Sequence, residues 1–531
     1  MTLSSWQNPY SFDAFLEKRE AFDFYRDDFF LQKAVRKYAG AEWESLHEKL
    51  LAFSPKVSFR WRKMTERIAR PDVHPTILHY DAFNHRIDRI VRPHESLVLE
   101  KEIFSEGLFS DRVTSWESFT KRLLIHELGE FGVTCPIACT DGLIALIEHF
   151  HGHGIAELDS ILLHCKNGIN GDFGIGAQFM SEIQGGSDIP ANLVAAVPDG
   201  RFYRLYGTKF FCSAIHADYS VVTAKVSGSE HVGTFIVPSW LPGDKDRERR
   251  NGYAINRIKW KMGTCELPTA EIHYDGAVAY PIGPLDRGVA TAVGIVLTLS
   301  RLSIGSASSA FMLRAAREAQ MYSEFRDVFG RKIEQYPLVA RQLRYLKHAA
   351  ERTTAGAFKI YDLFLRLGKR NQPGLASDEP LEIRKRRFDF RELVLLQKIC
   401  TAQETVDVVR KAISILGGHG VMEDFSALPR LLRDAMVNEL WEGPKNVLLT
   451  QIFRDLQKAA SWYAPQEFVA NNLAGAPADK IKQLSEALTK LMKRPVLGHP
   501  DDQSIQAAED WETFCADFFR TYQEVALAEI Q

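Results

Sequence analysis

The chain has 531 residues, 45% of them apolar and 25% charged, with a net charge of −2 and an isoelectric point near 6.8. That length exceeds what one core serves, so two to four domains are expected. The near-neutral balance leaves no electrostatic footprint for nucleic acid or an anionic membrane over the chain as a whole.

Residues 1 to about 190 read as mostly helical. Trp43 to Phe53 and Ser118 to Phe131 carry apolar residues at helical spacing, and Asp141 to Phe150 continues the pattern before Gly152 breaks it. From Arg201 to Tyr280 the character changes to short β-rich runs at Arg201-Tyr206, Tyr219-Lys225, Thr234-Val237 and Glu271-Tyr274, punctuated by glycine and proline. The charged patch Asp244 to Arg250 reads as a solvated hairpin tip. After Gly288 three long helices are expected, at Val289–Ser323, Leu338–Leu367 and Leu381–Leu416. Asn371-Gln372-Pro373-Gly374 forms the loop between the last two. The tail from 451 to 531 holds 8 basic and 12 acidic residues, a sign that repels phosphate backbones.

Seven cysteines at 135, 139, 165, 212, 265, 400 and 515 form an odd, scattered set, which argues against a disulfide framework and for a reducing compartment. Cys135 and Cys139 have no second pair nearby, so a buried helix start is preferred there to zinc. Nothing near Met1 reads as a targeting signal, and no segment approaches the length of a membrane span. A soluble cytoplasmic protein is expected. His149, His151 and His153 read as a solvated loop rather than a metal site, and Arg384-Lys385-Arg386-Arg387 as a solvent or inter-subunit face.

Chemistry concentrates in a few stretches. In Leu440-Trp441-Glu442-Gly443, a carboxylate follows an aromatic residue and precedes a glycine, with a helix able to restart at Pro444. A carboxylate in an apolar pocket loses solvation, and its pKa rises toward the range of a working base. Ser181-Glu182-Ile183-Gln184-Gly185-Gly186-Ser187-Asp188 offers hydroxyls and backbone N–H groups to a polar ring or phosphate. A plain turn explains it equally well. Gly207-Thr208-Lys209-Phe210-Phe211-Cys212-Ser213 leads into an aromatic strand suited to a planar cofactor or to a core. Arg326-Asp327-Val328-Phe329-Gly330 supplies a guanidinium for a pyrophosphate, or a surface ion pair. Ile415-Leu416-Gly417-Gly418-His419-Gly420 allows close approach of backbone to a ligand, or ends a helix.

In order and spacing, these stretches resemble the acyl-CoA dehydrogenase superfamily over about residues 130 to 456. Ser181-Glu182 to Asp188 is similar to its Thr-Glu-Pro-x-x-Gly-Ser-Asp segment, and Phe211-Cys212-Ser213 to its Trp-Ile-Thr. Arg326 to Gly330 resembles Arg-x-x-Phe-Gly, Ile415 to Gly420 resembles Leu-Gly-Gly-x-Gly, and Trp441-Glu442-Gly443 resembles Tyr-Glu-Gly. Leu78-His79-Tyr80-Asp81-Ala82, Arg86-Ile87-Asp88 and His94, with both terminal extensions, resemble the AidB-like branch.

The resemblance implies an α+β fold. Its parts are a helical N-terminal domain with an AidB-like extension (1–180), a small β-barrel or sandwich (181–285), a four-helix bundle with the catalytic loop (286–456) and a helical C-terminal extension (457–531). It implies FAD as cofactor, with Ser181 and Ser213 on polar edges of the flavin, Phe211 and the backbone through Cys212 beside it, and Ser187 near a phosphate-bearing end. Arg326 and Phe329 would reach the FAD of a neighbouring subunit in a homotetramer, with Gly417 and Gly418 at its adenosine end. Trp441 and Asn446 belong to the base loop, which Arg301 would brace. Glu442 would take the α-proton of an acyl-CoA thioester while hydride leaves for flavin N5, and electrons would pass to an electron-transferring flavoprotein. Some relatives place the base at the position of Ser300, where serine cannot serve.

The sequence departs from the family at Pro444 (for Thr), Asn446 (for Gln), Phe211 (for Trp), Ser181 and Ser213 (for Thr). An alternative is an AidB-like flavoprotein with weak or no turnover, acting in a stress response or binding acyl-CoA. Nitroalkane oxidation on this scaffold would call for an Asp base, which Glu442 disfavours.

Overall fold

The structure is a computed structural model that describes residues 10–150, 152, 154–368 and 379–531. His151, His153 and the Asn371–Gly374 loop lie outside the described residues. The chain begins with α1 (Asp13–Ala21), α2 (Phe29–Ala39), α3 (Trp43–Pro55) and α4 (Arg62–Ile68). A hairpin of β1 (Thr76–Tyr80) and β2 (Arg86–Val91) follows, then α5 (His94–Phe104), α6 (Ser115–His126), α7 (Phe131–His149) and α8 (Ala156–Asn167).

The hairpin is a departure from the helical reading of this region, and it contains Leu78 to Ala82 and Arg86 to Asp88 of the residues that resemble the AidB-like branch, with His94 opening α5. Its strands are short and only partly covered, so their period is faint in the sequence. Asp81 closes the turn by accepting the N–H groups of Phe83 and His85, both at 2.8 Å. Asp88, almost fully buried, accepts from His79 Nδ1 at 2.6 Å, Arg86 Nε at 2.9 Å and the Ile255 N–H at 2.8 Å. The motif is therefore a latch onto the middle of the chain. Asp88→Ala should cost about 1–3 kcal/mol by stranding these donors, and should make the hairpin the first site of limited proteolysis.

The middle of the chain is β3 (Gly176–Phe179), β4 (Ala195–Asp199), β5 (Phe202–Ser213), β6 (Tyr219–Val226), β7 (Val232–Pro238), β8 (Tyr253–Ile258) and β9 (Thr269–Pro281). Pairings β6–β4, β4–β5, β5–β9, β9–β7 and β7–β6 close a ring, with β3 added along β6 and β8 along β9. Closure removes the exposed edges that an open sheet leaves. The buried run of β7 reads as continuous apolar sequence because it is covered on both faces. The Asp244–Arg250 patch is a turn between β7 and β8, although Asp244 itself is buried and paired with Arg249.

A helical bundle follows: α9 (Gly288–Thr291), a π-helical segment (Ala292–Leu297) and α10 (Thr298–Phe325), then the short strands β10 (Asp327–Val328) and β11 (Arg331–Lys332). After these come α11 (Pro337–Arg366), α12 (Leu381–Leu416), α13 (Leu428–Leu440) and α14 (Lys445–Ala459). Proline at the first position starts α11, and Gly417 at φ 62° stops α12. Small residues on α10 let α12 approach closely, since a Cβ on Gly305 would overlap the Gln397 side chain.

The extension adds α15 (Pro465–Asn472), α16 (Ala478–Leu491) and α17 (Asp502–Ala528). It shares one apolar core with α12 and α14, through Phe388, Phe453, Phe468, Trp511 and Phe518, while a second core joins the N-terminal helices, the barrel and the bundle. Part of the basic run at the start of α12 faces this extension, through Arg384 and Lys385, while Arg386 is exposed to solvent as expected. Arg384 stacks 4.0 Å over Trp462, Lys385 pairs with Glu467 at 2.5 Å, and Arg387 pairs with Glu379.

Contrary to the sequence reading, two helical stretches, Phe131–His149 and Leu285–Phe325, are long and apolar enough to cross a membrane. Their most apolar windows are 72% and 67% buried inside the protein, so this composition serves the core.

Candidate active site

α13 ends at Leu440, Trp441 leaves helical geometry with ψ 149°, and Pro444 precedes the first residue of α14. Proline suits a helix start, where its missing N–H is not needed. Between the helices Glu442 adopts a left-handed φ of 59°, a conformation that costs a residue with a Cβ about 1–2 kcal/mol and persists only where its surroundings fix it.

The fixing groups come from three elements. Arg301 on α10 is buried and donates from Nε to the Glu442 carbonyl at 2.9 Å. Lys398 on α12 donates from Nζ to Glu439 O at 2.7 Å and Gly443 O at 2.6 Å. Gln178 on β3 donates from Nε2 to Glu442 Oε1 at 2.7 Å and lies 3.2 Å from Ser300 Oγ. The Trp441 ring meets Phe131 edge-on at 5.3 Å, giving the loop an apolar wall.

Glu442 is half-buried by surface, yet its carboxyl is hemmed in by protein. Desolvation pushes its pKa above the usual carboxylate range, against the opposing pull of Arg301, Lys398 and the Gln178 hydrogen bond. Burial also pushes Arg301 down to about 10 and Lys398 to about 7. The result is a carboxylate held between forces of opposite sign, as a tunable base requires.

The two ring-facing segments expected from sequence are tied together by a buried ion pair. Lys209, on β5, is fully buried and donates to Glu182 Oε1 at 2.8 Å, Met180 O at 3.1 Å and Asn192 Oδ1 at 3.1 Å. Glu182 also accepts from the Leu193 N–H at 2.6 Å, and the Phe210 N–H donates to Ser181 O at 3.0 Å. Ser181 therefore sits against the strand that carries Phe211 and Ser213, three residues beyond Gln178.

The expected residues fall into two groups. Around Glu442 lie Trp441, Arg301 and, through Gln178, Ser300, while Phe211 and Ser213 are on β5 and Ser181 is bonded to that strand. Phe211 is half exposed, whereas Cys212, expected to present its backbone to the cofactor, is wholly buried and pairs with Ala270 in the sheet. Ser213 Oγ lies 3.1 Å from Thr269 Oγ1. Ser187 and Asn446 are exposed.

Arg326, Phe329, Gly417 and Gly418 lie elsewhere. Arg326 is 25 positions along from Arg301 on the same helical run, roughly 37 Å at 1.5 Å per residue. Its guanidinium donates to Tyr10 Oη at 2.7 Å. At that same end His419, next to Gly418, pairs with Tyr322 at 3.0 Å. Phe329 is 93% exposed with φ 51°, a strained aromatic that one chain alone leaves uncovered.

Sequence reasoning missed Gln178, Lys398, Lys209 and the role of Glu182. Only Lys398 carried a signal, a lone charge inside the apolar run Leu393–Cys400.

A family model for the C-terminal domain of acyl-CoA dehydrogenases matches residues 286–457. Acyl-CoA dehydrogenase family member 11 of Caenorhabditis elegans is 30% identical over 505 residues, covering 91% of this chain and 79% of that protein. AidB of Escherichia coli strain K12 is 28% identical over 414 residues, covering 73% of this chain and 70% of AidB. Among solved structures, C. elegans ACDH-11 in complex with C11-CoA superposes with a TM-score of 0.78 at 26% identity, covering 95% of this chain and 90% of that one. A structure described as the Bd2924 apo-form reaches 0.83 at 24% identity, covering 96% and 98%, and bears on the fold. With the base loop, the barrel and the bundle in the expected order, this chain belongs to the acyl-CoA dehydrogenase family, in its AidB-like branch.

Proposed function

We propose that the protein is an FAD-dependent acyl-CoA dehydrogenase that converts an acyl-CoA thioester to its trans-2-enoyl product, with Glu442 as the α-proton base. The observation that carries this reading is the placement of Glu442, a desolvated carboxyl fixed on a left-handed turn by groups from three elements. Gln178 engages Oε1, leaving Oε2 to take the proton. Arg301 and Lys398 keep the carboxylate form accessible despite desolvation.

The residues present suit FAD. Phe211 offers a half-exposed aromatic face, and a Cβ added at Gly417 or Gly418 would meet no atom within 4 Å, so the backbone there is open to a ligand. Ser181, Ser213 and Ser187 would hold the ring and phosphate side, with Trp441 and Asn446 contributing from the base loop, while the wholly buried Cys212 would only shape the strand beneath. Arg326, Phe329, Gly417 and Gly418 would hold the adenosine side of a neighbouring subunit's cofactor, which calls for at least a dimer and fits the homotetramer the family resemblance implies. When bound, FAD supplies the acceptor for the hydride that leaves the β-carbon.

Electrons would pass to an electron-transferring flavoprotein. Seven unpaired cysteines suit the cytoplasm, and of the expected boundaries 180/181, 285/286 and 456/457 we move the first ahead of β3, which pairs with β6, and the last past the end of α14 at Ala459.

Beside α10, one turn from Ser300, lies a cavity of about 300 Å³ whose apolar side is formed by Leu299, Leu302, Ile144, Ala145 and Phe119 and whose polar side carries Arg122, Asp141, Glu148 and Lys166. Its size is at the lower end for a small-molecule site, and we assign it to the acyl chain. Ala145→Phe should shorten the longest chain accepted while leaving kcat for short thioesters within about threefold. A panel of straight-chain acyl-CoAs measures this.

The raised pKa of Glu442 sets a pH dependence. Its carboxylate form is the active one, so kcat/KM should rise with pH through an acid limb above the usual carboxylate range. A limb at the ordinary value for glutamate would contradict the assignment. An absorbance spectrum of the purified protein, followed by anaerobic thioester titration, tests the whole reading. Yellow protein that bleaches supports it; yellow protein that no thioester bleaches supports the rival, a flavoprotein with little turnover, which the Pro444 departure favours.

A further inference from the structure

We propose that Lys398 is the positioning residue of the base loop: its ammonium cross-ties the end of α13 to the residue after Glu442 and so holds the base in its left-handed turn. Lys398 lies inside α12 and is fully buried. Its two short bonds reach carbonyls on either side of Glu442, Glu439 O at 2.7 Å and Gly443 O at 2.6 Å. Glu439 O is among the last carbonyls of α13, which have no partner within the helix and favour a cation.

A buried ammonium is costly unless its protons are taken up, and here the prominent acceptors are the loop's own carbonyls. Below the depressed Lys398 pKa of about 7 the loop cannot shift without stranding that charge, and above it the neutral amine still donates to the same carbonyls. Arg301 holds the carbonyl between them, that of Glu442. Three carbonyls within five residues, at 439, 442 and 443, are thus bound by buried cations from α10 and α12. This accounts for a glutamate keeping φ 59° ahead of Gly443 at φ 103°.

The charges facing Glu442 are Arg301 from α10 and Lys398 from α12, with Gln178 from β3 and the Cys139 thiol from α7. Lys398 in turn feels Glu439 from α13, and Arg301 feels Arg391 and Glu392 from α12. Removing Lys398 deletes one of only two cations that favour the ionised base.

The inference rests on Glu442 as the base, but part of its test does not. Lys398→Met, and Lys398→Gln which keeps one donor, are compared with wild-type holoenzyme. Amide exchange over residues 439–446 should speed up at least about tenfold in Lys398→Met and less in Lys398→Gln, with α12 unchanged; this readout stands even if Glu442 is not the base. For turnover, kcat should fall about 10²-fold, the cost of misplacement approaching 1 Å, with KM little changed and the acid limb moved to higher pH. Unchanged exchange in the loop would overturn the proposal. So would loss of folded protein in both variants, or a fall in kcat with no movement of the acid limb, since each makes Lys398 a core-packing residue.

Discussion

Glu442→Gln is expected to lower kcat by about 10²–10⁴-fold, the usual contribution of a general base, with the yellow cofactor retained and thioester affinity little changed. The substitution keeps the volume and backbone of the turn, so the bonds from Arg301 and Lys398 to its carbonyls survive. What disappears is the basic oxygen. Glu442→Asp separates chemistry from placement, because the carboxylate stays but withdraws by one methylene from Gln178. An intermediate loss is expected there, again within the range set by misplacing a reacting atom by about 1 Å. Stopped-flow and steady-state rates for both variants, beside a cofactor-to-protein ratio from the absorbance spectrum, check the two together. A Gln variant with wild-type kcat would remove Glu442 from the mechanism.

The second large effect concerns stability. Glu182→Ala should destabilise the protein by about 3–5 kcal/mol, because it leaves the Lys209 ammonium charged and unpaired in a fully buried site. The Leu193 N–H also loses its acceptor. Lys209→Met in the same chain should recover much of this loss, since removing both charges is far cheaper than removing one. Thermal melts of the single and double variants measure the cycle. Cofactor retention should fall with the single variant, as the pair ties the Ser181 segment to the Phe211 strand. A Glu182→Ala protein as stable as wild type would show that water or backbone replaces the carboxylate.

What could be read from the chain follows the physics of each element. Helix α12 was legible from Leu381 to Leu416 because its apolar spacing is sustained and a glycine ends it. Strand β5 was cut short at Gly207, which reads as a turn; in the structure the strand runs through it, with register shifts on either side. The hairpin β1–β2 was hidden because its strands are short and its hold on the fold is polar, through Asp88. At the site, Glu442 and Arg301 were found because motif and chemistry coincide. Gln178 stands in a four-residue strand with nothing in its local sequence to mark it. Lys398 and Lys209 are cations whose partners lie 17 to 45 positions away, so only folding reveals them.

Anaerobic rapid mixing of the holoenzyme with acyl-CoA thioesters carrying deuterium at the α-carbon tests the central claim most directly. The account predicts that flavin bleaching in wild type is several-fold slower than with the unlabelled thioester, and absent in Glu442→Gln. Bleaching equally fast in the variant, or none with any chain length in wild type, would contradict it.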